Sequence, residues 1–505
     1  MTDPLSPDEA RELLAAGGAA YGRGDLTAAL ATFEQVARSA TGDLRISAMI
    51  NAASMSDELG DHAAAVDRYH EALAAMPADA RRIRPAALIN LSQALQHVGD
   101  LDGAQTALEQ ARSLLTDGAD DLEDLRVPCL LSLTAVAIHR QQWAYAADLA
   151  HESLEAAVRS APTLAGHPLM NLAAVHFETG RFDLADDFAG QALAAFDEAG
   201  DSNAFAETQQ NLGIMRARSG RHEDAEPLLL ESQRYFEQAG AGHRVGIGLK
   251  VLAFVAEGRD QKERASALYR RSVEYFAESG AVLDVADVNT RLATLAFSAG
   301  RRDEGEALLA SAVETYAELD LGLHCAQVDV WHATLLEAAL NVDPDGALHK
   351  RAVDLAVPAA LTIDAVRYSL PNGFQREQWN RHVADPAMAL AFRLSYGCGD
   401  ALLVGDLIEA HCAGTALDIG RSTGSAAPTL PLVMPDLPDR TPDVSTALHL
   451  GAALAGVAAG AGLPVSLPPH LTMSVGGRVA LEPYIAEAEK RYGRPIRDSR
   501  SVQAW

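Results

Sequence analysis

The chain has 505 residues, 48% of them apolar and only 5% aromatic, with 69 acidic against 41 basic side chains and a formal charge of −28. That excess of negative charge repels polyanions at every approach, which argues against nucleic acid or an anionic membrane surface as partner. Four widely spaced cysteines (Cys129, Cys325, Cys398 and Cys412) form no CxxC pair, which argues against a disulfide framework or a cysteine zinc site and fits a reducing compartment.

The first residues, MTDPLSPDEARELL, are acidic and carry no apolar run. No secretory signal is expected there, and the cytoplasm is the expected compartment. Next, a small residue followed twelve positions later by Ala or Gly recurs eight times: Gly17/Ala29, Ala53/Ala65, Ser92/Ala104, Ala135/Ala147, Ala173/Ala185, Gly213/Ala225, Ala253/Ala265 and Ala293/Gly305. A turn residue lies within each pair: Gly24, Gly60, Gly99, Gln142, Gly180, Gly220, Asp260 and Gly300, at spacings of 36, 39, 43, 38, 40, 40 and 40. Self-similarity at such a period marks a stacked repeat array. Each unit reads as helix A, a tight turn and helix B. The helices cross closely because neither projects bulk at the crossing. In the sixth unit helix A is SNAFAETQQNLGIMRARSG and helix B is RHEDAEPLLLESQRYFEQAG.

In four units an aromatic follows the second small residue by eleven positions: Phe196, Phe236, Phe276 and Tyr316. Three helical turns place it on the same face of helix B, for packing against the next unit. A ninth pair is expected near 323–340 and 346–363, as a divergent cap.

The second unit carries Ala65, Tyr69, Ala72 and Pro77, the sixth Leu212-Gly213, and the first Ala29 and Phe33. On these residues, the region from about 8 to 320 resembles the tetratricopeptide repeat family, although its early Trp is missing and the period drifts from 34 toward 40. HEAT-type repeats share the longer period but do not explain the small pairs. The resemblance implies an all-α, right-handed α-α superhelical solenoid over 1–320, a divergent helical cap over 321–412, a Pro-rich linker over 413–446 and a small helix-hairpin-helix segment over 447–505.

In that family helix A lines the inner wall, and Asn nine residues before the turn reaches a bound extended peptide. Asn51, Asn90, Asn171 and Asn211 hold that position here. A carboxamide offers both the donor and the acceptor that a peptide bond requires. Gln93, Arg140, Gln210, Arg218, Lys250 and Arg291 complete the expected peptide-binding groove. The expected groove positions carry six acids (Asp57, Glu58, Glu178, Glu207, Glu257, Asp287) and five bases (Arg11, Arg140, Arg218, Lys250, Arg291). The acid excess is therefore expected elsewhere.

Residues 343–412 stay helical in pattern, with Pro358 and Pro386 interrupting or restarting helices and Trp379 a packing residue. STGSAAPTLPLVMPDLPDRTPD reads as the linker, a Gly/Ala-rich helix follows at about 446–461, and a short hairpin turns at Gly476-Gly477 before a last helix at about 482–492. The tail resembles those of actinobacterial tetratricopeptide proteins associated with CHAT-type proteases, which implies a companion subunit of such a protease. The chain lacks that protease's own dyad, because His411 and Cys412 are neighbours on one predicted helix.

No phosphate-loop, zincin, nucleophile-elbow or dinucleotide motif occurs, and no histidine stands in metal-ligand spacing, so no enzyme activity, cofactor or metal is expected. The sequence points to a scaffold or adaptor binding a polypeptide segment. The alternative is a peptide-sensing regulator.

Overall fold

The computed structural model describes residues 5–23, 25–77, 80–116, 122–370, 373–412, 467–473 and 477–503. Among the described residues, eighteen helices follow one another two by two. They are α1 (Pro7–Gly22) and α2 (Leu26–Ser39), α3 (Gly42–Glu58) and α4 (His62–Ala75), and α5 (Ile83–His97) and α6 (Leu101–Thr116). Next come α7 (Glu123–His139) and α8 (Trp143–Ser160), α9 (Gly166–Glu178) and α10 (Phe182–Ala199), and α11 (Ser202–Arg218) and α12 (His222–Ala239). The last three are α13 (Gly242–Gly258) and α14 (Lys262–Glu278), α15 (Val282–Ser298) and α16 (Arg302–Glu318), and α17 (Gly322–Leu340) and α18 (Gly346–Ala365). The chain is an all-α solenoid of such pairs. It falls into two compact units, one up to Met215 and one from Arg216.

The A-to-B turns share one geometry. Gly60, Gly99, Gln141, Gly180, Gly220, Asp260 and Gly300 all have positive φ, between +56° and +85°. The next residue donates its backbone N–H to the carbonyl five positions back, as in Asp61 to Ser56, Arg181 to His176 and Arg301 to Ala296, at 2.8–2.9 Å. This left-handed stop satisfies carbonyls that the helix end would leave bare. Gly24 lies outside the described residues.

The fourth turn corrects the sequence reading by one position. Gln141, not Gln142, takes the left-handed conformation, and Gln142 caps α8. The closely packed pair there is accordingly Thr134 and Ala146, both fully buried, while Ala135 and Ala147 are half-buried. Two adjacent glutamines carry no mark of which one turns. Elsewhere the small residues sit as expected: Ala53, Ala65, Ser92, Ala104, Ala253 and Ala265 have no exposed surface. At Gly305 an added Cβ would lie 3.1 Å from the Ala293 carbonyl oxygen and run into the Phe297 ring, so α15 and α16 cross with no room for a side chain.

The aromatic stripe packs within its own pair as well as on the next. A Cβ at Gly166 would meet the Phe196 ring at 2.5 Å, and one at Gly246 the Phe276 ring at 2.7 Å. The same rings cluster with Ala204 on α11 and with Val288 and Leu292 on α15. Each aromatic also supplies the carbonyl that ends helix B: Asp201, Ala241, Ala281 and Leu321 donate to Phe196, Phe236, Phe276 and Tyr316. These second turns pivot on Gly200, Gly240, Gly280 and Asp320, all at positive φ.

After the ninth pair come α19 (Gly373–Trp379), a π-turn over Asn380–Ala384, α20 (Asp385–Gly397), α21 (Ala401–Cys412) and α22 (Glu482–Tyr492). Pro358 lies inside α18 without breaking it, and Pro386 opens α20. Trp379 is buried and donates from its indole nitrogen to the Ile363 carbonyl at 2.9 Å. The expected linker over 413–446 and the helix at 446–461 lie outside the described residues, as does Gly476. Around Gly477 the hairpin contributes one antiparallel bridge, Thr472 to Val479, with Ala480 donating to Leu471 and Met473 to Arg478. The sheet itself is parallel: β1 (Pro469–Thr472) pairs with β2 (Asp498–Gln503), a strand the sequence reading did not foresee. The polar run DSRSVQ lacks the alternation that marks a strand.

In the second unit α22 packs on α17 and α18. Asp329, almost fully buried on α17, accepts from Arg491 at 2.6 and 2.9 Å and from the Tyr492 hydroxyl at 2.7 Å. Arg478 forms a bidentate pair with Asp406 of α21 at 2.5 Å.

Candidate functional site

In the first unit the A helices of successive pairs touch: α1 on α3, α3 on α5, α5 on α7 and α7 on α9. Their B helices make no contact of that extent among the described residues. The A helices thus form the tighter layer, and a core continuous from Ala53 to Val175 fills the space behind them.

Asn51, Asn90, Asn171 and Asn211 are all half-buried at one register of helix A. Asn90 is engaged within the protein, bonding the Tyr69 hydroxyl, which also meets Ser54 Oγ at 2.8 Å. Asn51, Asn171 and Asn211 have no side-chain hydrogen-bond partner among the described residues, and neither does the exposed Gln93. With the turn moved to Gln141, the fourth unit presents Ser132 at this register. Gln210 is fully buried. Its amide cannot reach a ligand, and it leaves the expected groove set because its position on α11 faces the core.

The expected basic residues are already occupied. Arg140 donates to Gln105 at 2.8 Å and pairs with Asp102. Lys250 pairs with Asp284 at 2.9 Å and Asp287 at 3.4 Å and lies over the Phe276 ring. Burial alone would lower its pKa, but the two carboxylates outweigh that and raise it. Arg291 lies over the Phe254 ring, and Arg218 is exposed.

Several polar groups at this layer escaped sequence reasoning. Trp331, forty residues beyond Arg291, donates its indole N–H to Thr294 at 2.8 Å. Tyr269 donates to Glu257 at 2.5 Å, and burial pushes the pKa of that carboxyl up. In the first unit Asp57 Oδ1 lies 2.7 Å from His62 Nδ1 and 3.0 Å from His97 Nδ1, the two imidazole centroids 4.4 Å apart. One ligand atom from each residue falls within 4.8 Å of the others, a set able to hold a metal ion. Asp57 was expected at the groove, and His62 carried no signal of its own beside Asp57 and His97. The clue was their place three and two residues before successive turns, which stacking brings together.

The buried thiols are poor nucleophiles: burial pushes Cys129 up to about 12 and Cys325 up to about 11. No helix among the described residues is long and apolar enough to cross a membrane.

Two family descriptions match parts of this layer. Residues 46–160 match "Tetratrico peptide repeat" and residues 164–238 match "Tetratricopeptide repeat". Both stretches are similar to tetratricopeptide repeats, and together they span less than half of the chain. Repeats of this family point to protein–protein interaction. No curated protein matches the chain. Among solved structures the chain is similar to BtubC from P. vanneervenii, at 22% identity over 43% of this chain and 90% of that one, with a TM-score of 0.38. It is similar to aspartyl phosphate phosphatase F from Bacillus subtilis, at 12% identity over 62% and 96%, with a TM-score of 0.44. NprR in complex with its cognate peptide NprX aligns at 14% identity over 68% and 99%, with a TM-score of 0.40. The tetratricopeptide stretches contain Asn51, Asn90, Asn171 and Asn211, the whole asparagine row.

Proposed function

We propose that the protein is a non-enzymatic scaffold or adaptor that binds a polypeptide segment along the helix-A layer of its tetratricopeptide repeats. The observation that carries this reading is the row Asn51, Asn171 and Asn211. These amides are half-buried, lack an internal partner among the described residues, and recur at one register of an interaction repeat. A half-buried carboxamide held on a rigid helix is pre-organised to pair with a peptide group, and each such bond contributes about 0.5–1.5 kcal/mol. Gln93 adds an exposed amide beside Asn90. Arg140, Lys250 and Arg291 act by positioning neighbours, since their charges are met within the protein. A polypeptide of mixed charge suits this layer better than a polyanion.

The test is a peptide array built from proteins of the native cell, followed by titration of the captured sequences. Asn51→Ala with Asn171→Ala is expected to weaken binding about tenfold, in line with two lost amide bonds. Unchanged affinity in that double variant overturns the reading. The tail's resemblance suggests that the partner is a CHAT-type protease, with the chain as its companion subunit. Affinity capture with and without residues 413–505 tests this: a stoichiometric protease lost on truncation supports it, and its absence from both captures removes it.

A further inference from the structure

We propose that Asp57, His62 and His97 form a binding site for a divalent transition-metal cation of the zinc class. The three residues come from three consecutive helices: Asp57 from the last turn of α3, His62 from the first of α4 and His97 from the last of α5. Both Nδ1 atoms already face one carboxylate oxygen, at 2.7 and 3.0 Å. The rings are tilted by 44°, so their nitrogens converge from different directions. Zinc–nitrogen bonds of about 2.0–2.1 Å set tetrahedral donors a little over 3 Å apart, so small side-chain rotations suffice to enclose the ion. Asp57 keeps 15% of its side-chain surface exposed and His97 51%, which leaves a path from solvent.

The donor set selects the ion. Two imidazoles and one carboxylate favour zinc, nickel or copper over magnesium or calcium, which want oxygen alone. Three protein ligands leave a fourth tetrahedral position to water or to a donor from a bound molecule. The site ties the α3/α4 pair to α5 of the next pair, so a bound ion reinforces the stacking of two repeats. It also contradicts the expectation from sequence that the chain carries no metal ligands. The spacing hides the site because forty residues separate Asp57 from His97.

The experiment uses the full chain stripped with a chelator and titrated with zinc chloride by calorimetry, with cobalt(II) as a visible-absorption probe. One equivalent is expected to bind at micromolar strength or tighter, to raise the melting temperature, and to give the intense d–d bands of a tetrahedral cobalt site. Separately, His97→Ala and Asp57→Asn are expected to weaken zinc binding at least tenfold, with metal-free circular dichroism and melting close to wild type. His70→Ala, on the exposed face of α4, is expected to change nothing. The proposal is overturned if wild type takes up no zinc at this strength, or if His97→Ala and Asp57→Asn bind it as wild type does.

Discussion

The repeats before residue 160 and those after it solve the same stacking problem with different turns. In the earlier stretch the A-to-B turns read Gly-Asp at 60–61 and 99–100, and the aspartate caps the following helix: Asp61 accepts from Ala64 and Asp100 from Gly103. In the later stretch they read Gly-Arg at 180–181, 220–221 and 300–301, with no side-chain cap. The later stretch compensates at the other end of helix B. There Gly200, Gly240, Gly280 and Asp320 repeat the left-handed stop every forty residues, whereas the earlier B-to-A connections are irregular, as at Ala40 in extended conformation and at the 3-10 turn Pro162–Leu164. A repeat with both ends fixed by backbone hydrogen bonds holds its length. A repeat with one end fixed drifts in length.

This contrast can be broken at defined positions. The largest expected effect is at Gly246, where alanine drives a Cβ into the buried Phe276 ring and destabilises the fold by about 1–3 kcal/mol in urea titrations followed by circular dichroism. By contrast Gly18, helical in α1 with nothing within 4 Å, is expected to gain up to about 1 kcal/mol on the same change. Equal effects at both sites would dissolve the distinction. Next, Gly280→Ala places a Cβ at φ +72° and is expected to cost about 1–2 kcal/mol, with unfolding midpoint as the readout. Smaller still, Asp61→Ala is expected to lose about 1 kcal/mol of capping, while Arg301→Asp gains about 0.5 kcal/mol by adding the missing cap.

A pH series sharpens the comparison last. Burial holds His167, His324 and His332 below the ordinary histidine value, so the folded chain binds fewer protons than the unfolded one. Stability from these groups is present above about pH 6.5 and is lost as the pH falls toward their depressed values. His332→Gln is expected to flatten that acid limb, measured as melting temperature between neutral and mildly acidic buffer.

Much of the architecture was legible in the sequence because small residues and glycines sit where helices cross and stop. The ninth pair and the last helix fell close to their expected bounds for the same reason. The fourth turn slipped because Gln141 and Gln142 are chemically identical. The ring-accepting glycines Gly166 and Gly246 were missed because the partner aromatic lies thirty residues away on the other helix. The shared half-buried register of the four asparagines was readable from the repeat spacing. Burial of Gln210 and occupation of Lys250 by Asp284 and Asp287 depend on neighbouring helices that no single repeat announces. The His62–Asp57–His97 trio and the Asp329–Arg491 pair are long-range for the same reason.

The seating of Tyr492 against Gly322 has a consequence for assembly. Its carbonyl occupies the space where any side chain at 322 would stand, and the Asp329 carboxylate pins the neighbouring guanidinium. The tail thereby covers part of the ninth pair, on which α20 also packs. That covered surface is closed to a further helix pair by a segment of the same chain.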